Sequence, residues 1–250
     1  MLNPYLAHGW ASTPERLAIA ATVTLGFAVA ARFLRGVNRS GALAGAIACF
    51  LLFAGAGPTA FATLSALFLM TWATTRLGYR RKLALGVAEP REGRNAGQVL
   101  ANLAIAALGS VIFSVHGDRI WLVAALAALC EAATDTVASE IGQYRSSDAR
   151  MITTWNRVPA GTDGGITISG SITGLAAGLM IAFVGAMGGM ILSSQIWIPV
   201  VAGFAGMLID SILGATLQHR GWISNQAVNF FATVAAAGLA YVAMILTQGP

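Results

Sequence analysis

The chain is short of charge. Only 10% of its 250 residues are Asp, Glu, Lys or Arg, against about 25% in a soluble domain. So few charges cannot cover a globule of this size, which excludes a soluble fold. Cysteine is nearly absent too. Cys49 and Cys130 lie in apolar stretches without a CxxC partner and read as small core residues. The three histidines are scattered, with no HxxxH or His/Cys cluster, so no transition-metal site is expected. No GxxxxGK[ST] occurs, which excludes a P-loop kinase, and no serine nucleophile elbow is present.

Hydrocarbon is what the chain has in plenty: 56% of residues are hydrophobic, and the mean hydropathy is +0.71. This is the composition of an all-α, polytopic transmembrane helix bundle, read here as a single domain over 1–250. The 29 glycines suit helices that pack closely in lipid. A spanning helix needs about 20 mostly apolar residues. Eight stretches qualify, roughly 16–34, 41–57, 58–78, 97–115, 119–142, 166–192, 196–217 and 226–246. The second is short and Gly-rich, so a tilted, broken or re-entrant segment is expected there. Ala28-Val29-Ala30 resembles a signal-peptidase site, but no basic stretch precedes it, so the first helix is expected to be retained.

Charge placement gives an independent check on this count. With eight spans, thirteen of the fifteen basic residues fall on one side, and only Arg16 and Arg119 on the other. That is the positive-inside pattern. It implies a cytoplasmic side carrying the basic loops, both termini extracytoplasmic, and residence in the cytoplasmic (inner) membrane. The net charge of +5 lies in short loops between apolar spans, so no nucleic-acid partner is expected.

Against this background the acids stand out. A carboxylate at the centre of a spanning helix costs roughly 2.5–3.5 kcal/mol on insertion scales and is usually functional. Glu131, Asp135 and Ser139 are spaced four apart and share a face of the fifth span. Glu140 lies near its cytoplasmic end, about 140° round from Asp135. Asp210 enters at a similar level from the seventh span. Asp135, Glu140 and Asp210 are oxygen ligands suited to Mg²⁺, which takes one or two carboxylates plus substrate phosphates. A proton relay, or acids that merely tie helices together, needs the same residue types.

Other polar residues fall at the same level. Gly161-Thr162-Asp163-Gly164-Gly165 precedes an apolar helix, with Asp163 as its natural N-cap. Glycines there can also present N–H groups to phosphate, with Arg157 and Lys82 nearby. Arg39-Ser40 opens the second span, Gln98 and Asn102 the fourth, and Asn225 and Asn229 the eighth. Each pair offers hydrogen bonds to a polar ligand.

Five segments carry a family resemblance. They are Thr75 to Lys82, Asn95 to Asn102, Asp135 to Gly142, Pro159 to Gly165, and Asp210 to Ala215. In this order they resemble the integral-membrane family that contains the plant phytyl-phosphate kinase of the vitamin E pathway, many of whose bacterial and archaeal members are of unknown function. The likeness runs from about Gly36 to Phe230. It implies a kinase that converts an isoprenoid monophosphate to the diphosphate, with Mg²⁺ and a nucleoside triphosphate. A distant tie to CTP-using membrane enzymes makes CTP the first expectation.

On this reading Asp135, Glu140, Asp210 and Asp163 hold the metal. Lys82, Arg157 and the Gly-rich loop hold phosphates, and the lipid tail lies between helices. The alternatives are a lipid-phosphate transporter or flippase, a cytidylyltransferase and a structural scaffold. Membrane lipids are expected partners, and a homo-oligomer is left open.

Overall fold

Hydrocarbon offers the backbone no outside partner, so apolar runs of this length close their hydrogen bonds internally as helices. The structure, a computed structural model, describes residues 14–145 and 148–248. The chain termini, whose sidedness was expected from the charges, lie outside these residues.

The long helices are α1 (Pro14–Phe33), α2 (Arg39–Ala56), α3 (Pro58–Arg76), α5 (Ala96–His116), α6 (Ile120–Arg145), α7 (Ile168–Met187), α8 (Trp197–Leu213) and α9 (Asn225–Gln248). A short α4 (Tyr79–Ala84) lies between α3 and α5. Each expected span coincides with one long helix. Seven of them are long and apolar enough to cross a membrane. The helix outside that set is α3, which dilutes its apolar residues with five threonines. The second span is neither broken nor re-entrant: α2 is one continuous helix of 18 residues. Gly57 alone separates it from α3 and adopts φ +83°, a conformation that favours glycine. Pro58 then opens α3 at its first position.

α6 is the hub. It packs against α3, α5, α7, α8 and α9 and is buried along nearly its whole length. Its buried positions run round the whole helix, which is the mark of a helix at the centre of a bundle. Its tightest neighbour is α7, where Gly170, Gly174 and Gly178 let the two backbones meet. A Cβ on Gly174 would lie 2.5 Å from Thr134 O, and one on Gly170 would lie 2.5 Å from Ala138 O.

The all-α expectation misses one feature. Between α6 and α7 lies a small antiparallel sheet in the order β2-β1-β3. Its strands are β1 (Ala149–Met151), β2 (Arg157–Val158) and β3 (Gly165–Ile166), with Arg150 opposite both Arg157 and Ile166. Strands of two or three residues are too short to show the alternation by which a strand is read from sequence.

Candidate functional site

α6 delivers Asp135 and Glu140, and α8 delivers Asp210, to one polar cavity of about 330 Å³. The cavity lies at the end of the bundle where the sheet and the loop after α4 sit. Asp163, Gly161, Thr162, Gly164 and Gly165 line it from the loop before α7, and Gln98, Asn102, Asn225 and Asn229 from α5 and α9. Residues from five separate stretches of sequence therefore converge as expected.

The acids are not equivalent. Glu140 is neutralised. Its Oε2 is ion-paired with Lys82, and its Oε1 accepts from Thr75 Oγ1 at 2.7 Å. Asp163 accepts from Gln218 Nε2 at 2.8 Å. Asn229, with its amide nitrogen turned towards α8, donates to Asp210 Oδ2 at 3.2 Å. Asp210 also feels the negative charges of Asp135 and Asp163. Arg94, which lines the same cavity, is a positive charge acting on Asp135. Glu131, one turn deeper, does not line the cavity; it is 1% exposed, and neither carboxylate oxygen has a hydrogen-bond partner.

Among the described residues no three His, Cys, Asp or Glu are grouped closely enough to hold a metal ion by themselves. A hard cation that completes its shell with substrate phosphates needs fewer protein ligands. Asp135 and Asp210, with Asp163 beside them, fit that donor set, whereas Glu140 has both oxygens engaged.

Several expected phosphate ligands are corrected. Lys82 is buried, at 1% exposed, and does not line the cavity. Besides the Glu140 pair, its Nζ donates to Thr74 O (3.0 Å) and Thr75 O (2.7 Å), so all three donors are engaged. Arg157 is exposed and pairs with Asp148 at 3.5 Å. Arg39 and Ser40 are exposed and lie outside the cavity. Ser40 instead links helix ends, donating to Asn38 Oδ1 and accepting from Ala96 N–H.

The N-cap of α7 is Thr167 rather than Asp163: its side chain accepts from Gly170 N–H at 3.0 Å. The chain forms β3 before the helix starts, which displaces the cap by four residues. Thr167 and Gly170 still line the cavity, so the positive end of α7 faces it. Within the Gly-rich loop, Thr162 donates both its N–H and its hydroxyl to Pro159 O. These bonds hold the turn. α8 ends in a π turn, Gly214–Gln218, a form often found at functional sites. Its Gln218 reaches Asp163.

Sequence reasoning named Gln98 and Asn102 but missed Glu89 and Arg94, which stand beside them in the wall of this cavity. Glu89, Arg94, Gln98 and Asn102 line it and also line a second, apolar cavity of about 480 Å³. That groove is walled by Phe27 and Ala31 of α1, Leu64, Leu67 and Phe68 of α3, and Val99 and Leu103 of α5. Arginines stand at its polar end. The one available signal was position: Arg94 immediately precedes Asn95, whose side chain forms a capping box with Gln98 at the start of α5.

The molecule is thus an integral membrane protein in which a polar, acid-lined cavity and an apolar groove share a wall at one end of the bundle. The chain belongs to the family described as integral membrane protein DUF92, matched over residues 22–237. It is 33% identical over 195 residues to an uncharacterised membrane protein of Synechocystis sp., covering 76% of each chain. It is 31% identical over 207 residues to the chloroplastic protein VTE6 of Arabidopsis thaliana, covering 78% of this chain and 61% of the plant protein. An uncharacterised membrane protein of Methanocaldococcus jannaschii is 31% identical over 203 residues, covering 80% of this chain and 82% of its own. No solved structure matches. The family read from five sequence segments is therefore the family to which the chain belongs.

Proposed function

We propose that this protein is a membrane kinase that phosphorylates an isoprenoid monophosphate to the diphosphate, using a nucleoside triphosphate, with CTP as first choice, and Mg²⁺. The observation that carries the reading is the shared wall. An apolar groove suits a lipid tail, and an acid-lined polar cavity suits a metal-bound triphosphate. Both are bounded by Glu89, Arg94, Gln98 and Asn102, so an acceptor phosphate and a donor phosphate can meet there. The reaction itself comes from the resemblance to the plant phytyl-phosphate kinase.

Asp135 and Asp210, with Asp163, are the residues that would hold Mg²⁺. When bound, the ion neutralises the triphosphate's charge. In the reaction an anionic oxygen of the lipid monophosphate attacks the γ-phosphorus. A new P–O–P linkage forms, and the bond from the γ-phosphorus to its bridging oxygen breaks. The nucleoside diphosphate leaves with that electron pair. The nucleophile is already anionic, so no base is required, and positioning with charge stabilisation does the work. The gathering of thirteen basic residues on the site's side supports a cytoplasm-facing site in the cytoplasmic membrane.

A transporter reading is less well supported. Neither cavity is lined by any residue of the opposite connections around Gly57, Gly117 or Gly189. The test uses detergent-purified protein with Mg²⁺, geranylgeranyl or phytyl phosphate, and CTP or ATP in parallel, with products followed by mass spectrometry. Isoprenyl diphosphate with the matching nucleoside diphosphate is expected. A CMP-linked lipid with pyrophosphate would assign a cytidylyltransferase instead. No product from folded protein would reject both.

A further inference from the structure

Arg94 is the one basic residue, among those described, that lines the polar cavity, and it lines the apolar groove as well. Its main chain is unusually well fixed. The Arg94 N–H donates to Gly36 O at 3.1 Å, and Arg94 O accepts from Asn38 N–H at 3.0 Å. Val37 and Arg94 pair as a parallel bridge. Two glycines make this approach possible. A Cβ on Gly41 would lie 2.1 Å from Arg94 O, and one on Gly93, at φ +86°, would lie 2.5 Å from Val37 N. The loop before α5 is thus clamped, backbone to backbone, onto the turn between α1 and α2.

The side chain is treated differently. No hydrogen bond from the described residues engages the Arg94 guanidinium, and it shares the lining of the polar cavity with Asp135, on which its charge acts. Three other arginines, Arg35, Arg76 and Arg91, line the groove. Arg76 stacks on Trp72 at 4.5 Å and donates to Leu34 O. Arg91 lies over the Tyr79 ring at 6.0 Å. None of the three lines the polar cavity.

The geometry points to Arg94 as the residue that grips the acceptor's phosphate and holds it at the opening between groove and polar cavity. Its ligand class is a phosphate monoester on a single hydrocarbon tail. A guanidinium suits this task because its planar donors bind two phosphate oxygens at once. A lysine at the same place would keep the charge and lose the fork. The assignment rests on the two-cavity reading above, and it fills the role that burial denies to Lys82 and exposure denies to Arg157.

The test is equilibrium binding by titration calorimetry, without nucleotide, of geranylgeranyl phosphate and of geranylgeraniol to purified protein. Wild type should prefer the phosphate by roughly tenfold to hundredfold, the range for hydrogen bonds to a charged group. Arg94→Gln should erase that preference and leave alcohol binding unchanged. Arg94→Lys should recover it only in part, and Arg157→Gln, at a residue outside both cavities, should keep it. Retention of the full preference by Arg94→Gln, or no preference in wild type, would overturn the assignment.

The kinase reading is judged separately, by whether wild type forms the diphosphate. Diphosphate formation with an undiminished phosphate preference in Arg94→Gln would sink the Arg94 assignment and spare the kinase. Arg94-dependent binding without diphosphate from any nucleotide would sink the kinase and spare the assignment.

Discussion

A lysine that is 1% exposed needs its charge answered on every side, and Lys82 has a carboxylate and two carbonyls to do so. The pair holds α4 against the ends of α3 and α6. Removing one partner of a buried pair leaves an uncompensated charge and costs about 3–5 kcal/mol. Lys82→Met and Glu140→Gln are each expected to lower thermal stability in detergent on that scale. The double variant Lys82→Met/Glu140→Met should recover most of the loss. Asp135 behaves differently because no clasp depends on it. Asp135→Asn is expected to cut turnover about a hundredfold or more, the scale for losing a transition-state charge ligand, with unchanged unfolding temperature. Normal turnover in that variant would remove Asp135 from the proposed metal site. The acids were legible in the sequence because a carboxylate in an apolar run stands out. Their partners were not: Lys82 lies 58 positions from Glu140, and nothing local tells a free lysine from a clasped one.

At the scale of elements, the spans were readable because lipid demands long apolar helices. The connections were not, because their form is decided by tertiary contacts. The N-cap of α7 shows the difference. Gly161 to Gly165 carries an Asp in a favourable capping context, yet pairing of β3 with β1 moves the helix start to Thr167 and Ile168. Helix packing is set by the glycine row on α7. A Cβ at Gly174 would press on Thr134 O and on the Ala138 side chain at 2.9 Å. Gly174→Ala is therefore expected to destabilise the protein by about 1–3 kcal/mol, the usual cost of overpacking, measured by thermal unfolding in detergent. A neutral result would mean that α7 slides on α6 more freely than the close backbones imply.

For the whole molecule, the proposed sidedness is open to a clean measurement. Cys49 and Cys130 are both 0% exposed, so an added cysteine would be the reactive one. Trp222, 68% exposed in the turn before α9, lies on the face that carries the site. Trp222→Cys is expected to react with a membrane-impermeant maleimide in inside-out vesicles and not in right-side-out ones. The reverse would turn the site outward and remove cytoplasmic nucleotide as the donor. The buried lysine has a further consequence at this scale. Lys82 is the only lysine in the chain, and fourteen arginines supply the rest of the positive charge. Apart from the terminal amine, the folded surface is blank to amine-directed reagents. Acylation of Lys82 therefore records each excursion in which α4 lifts away, and its rate is a clock for that opening, built into the native chain.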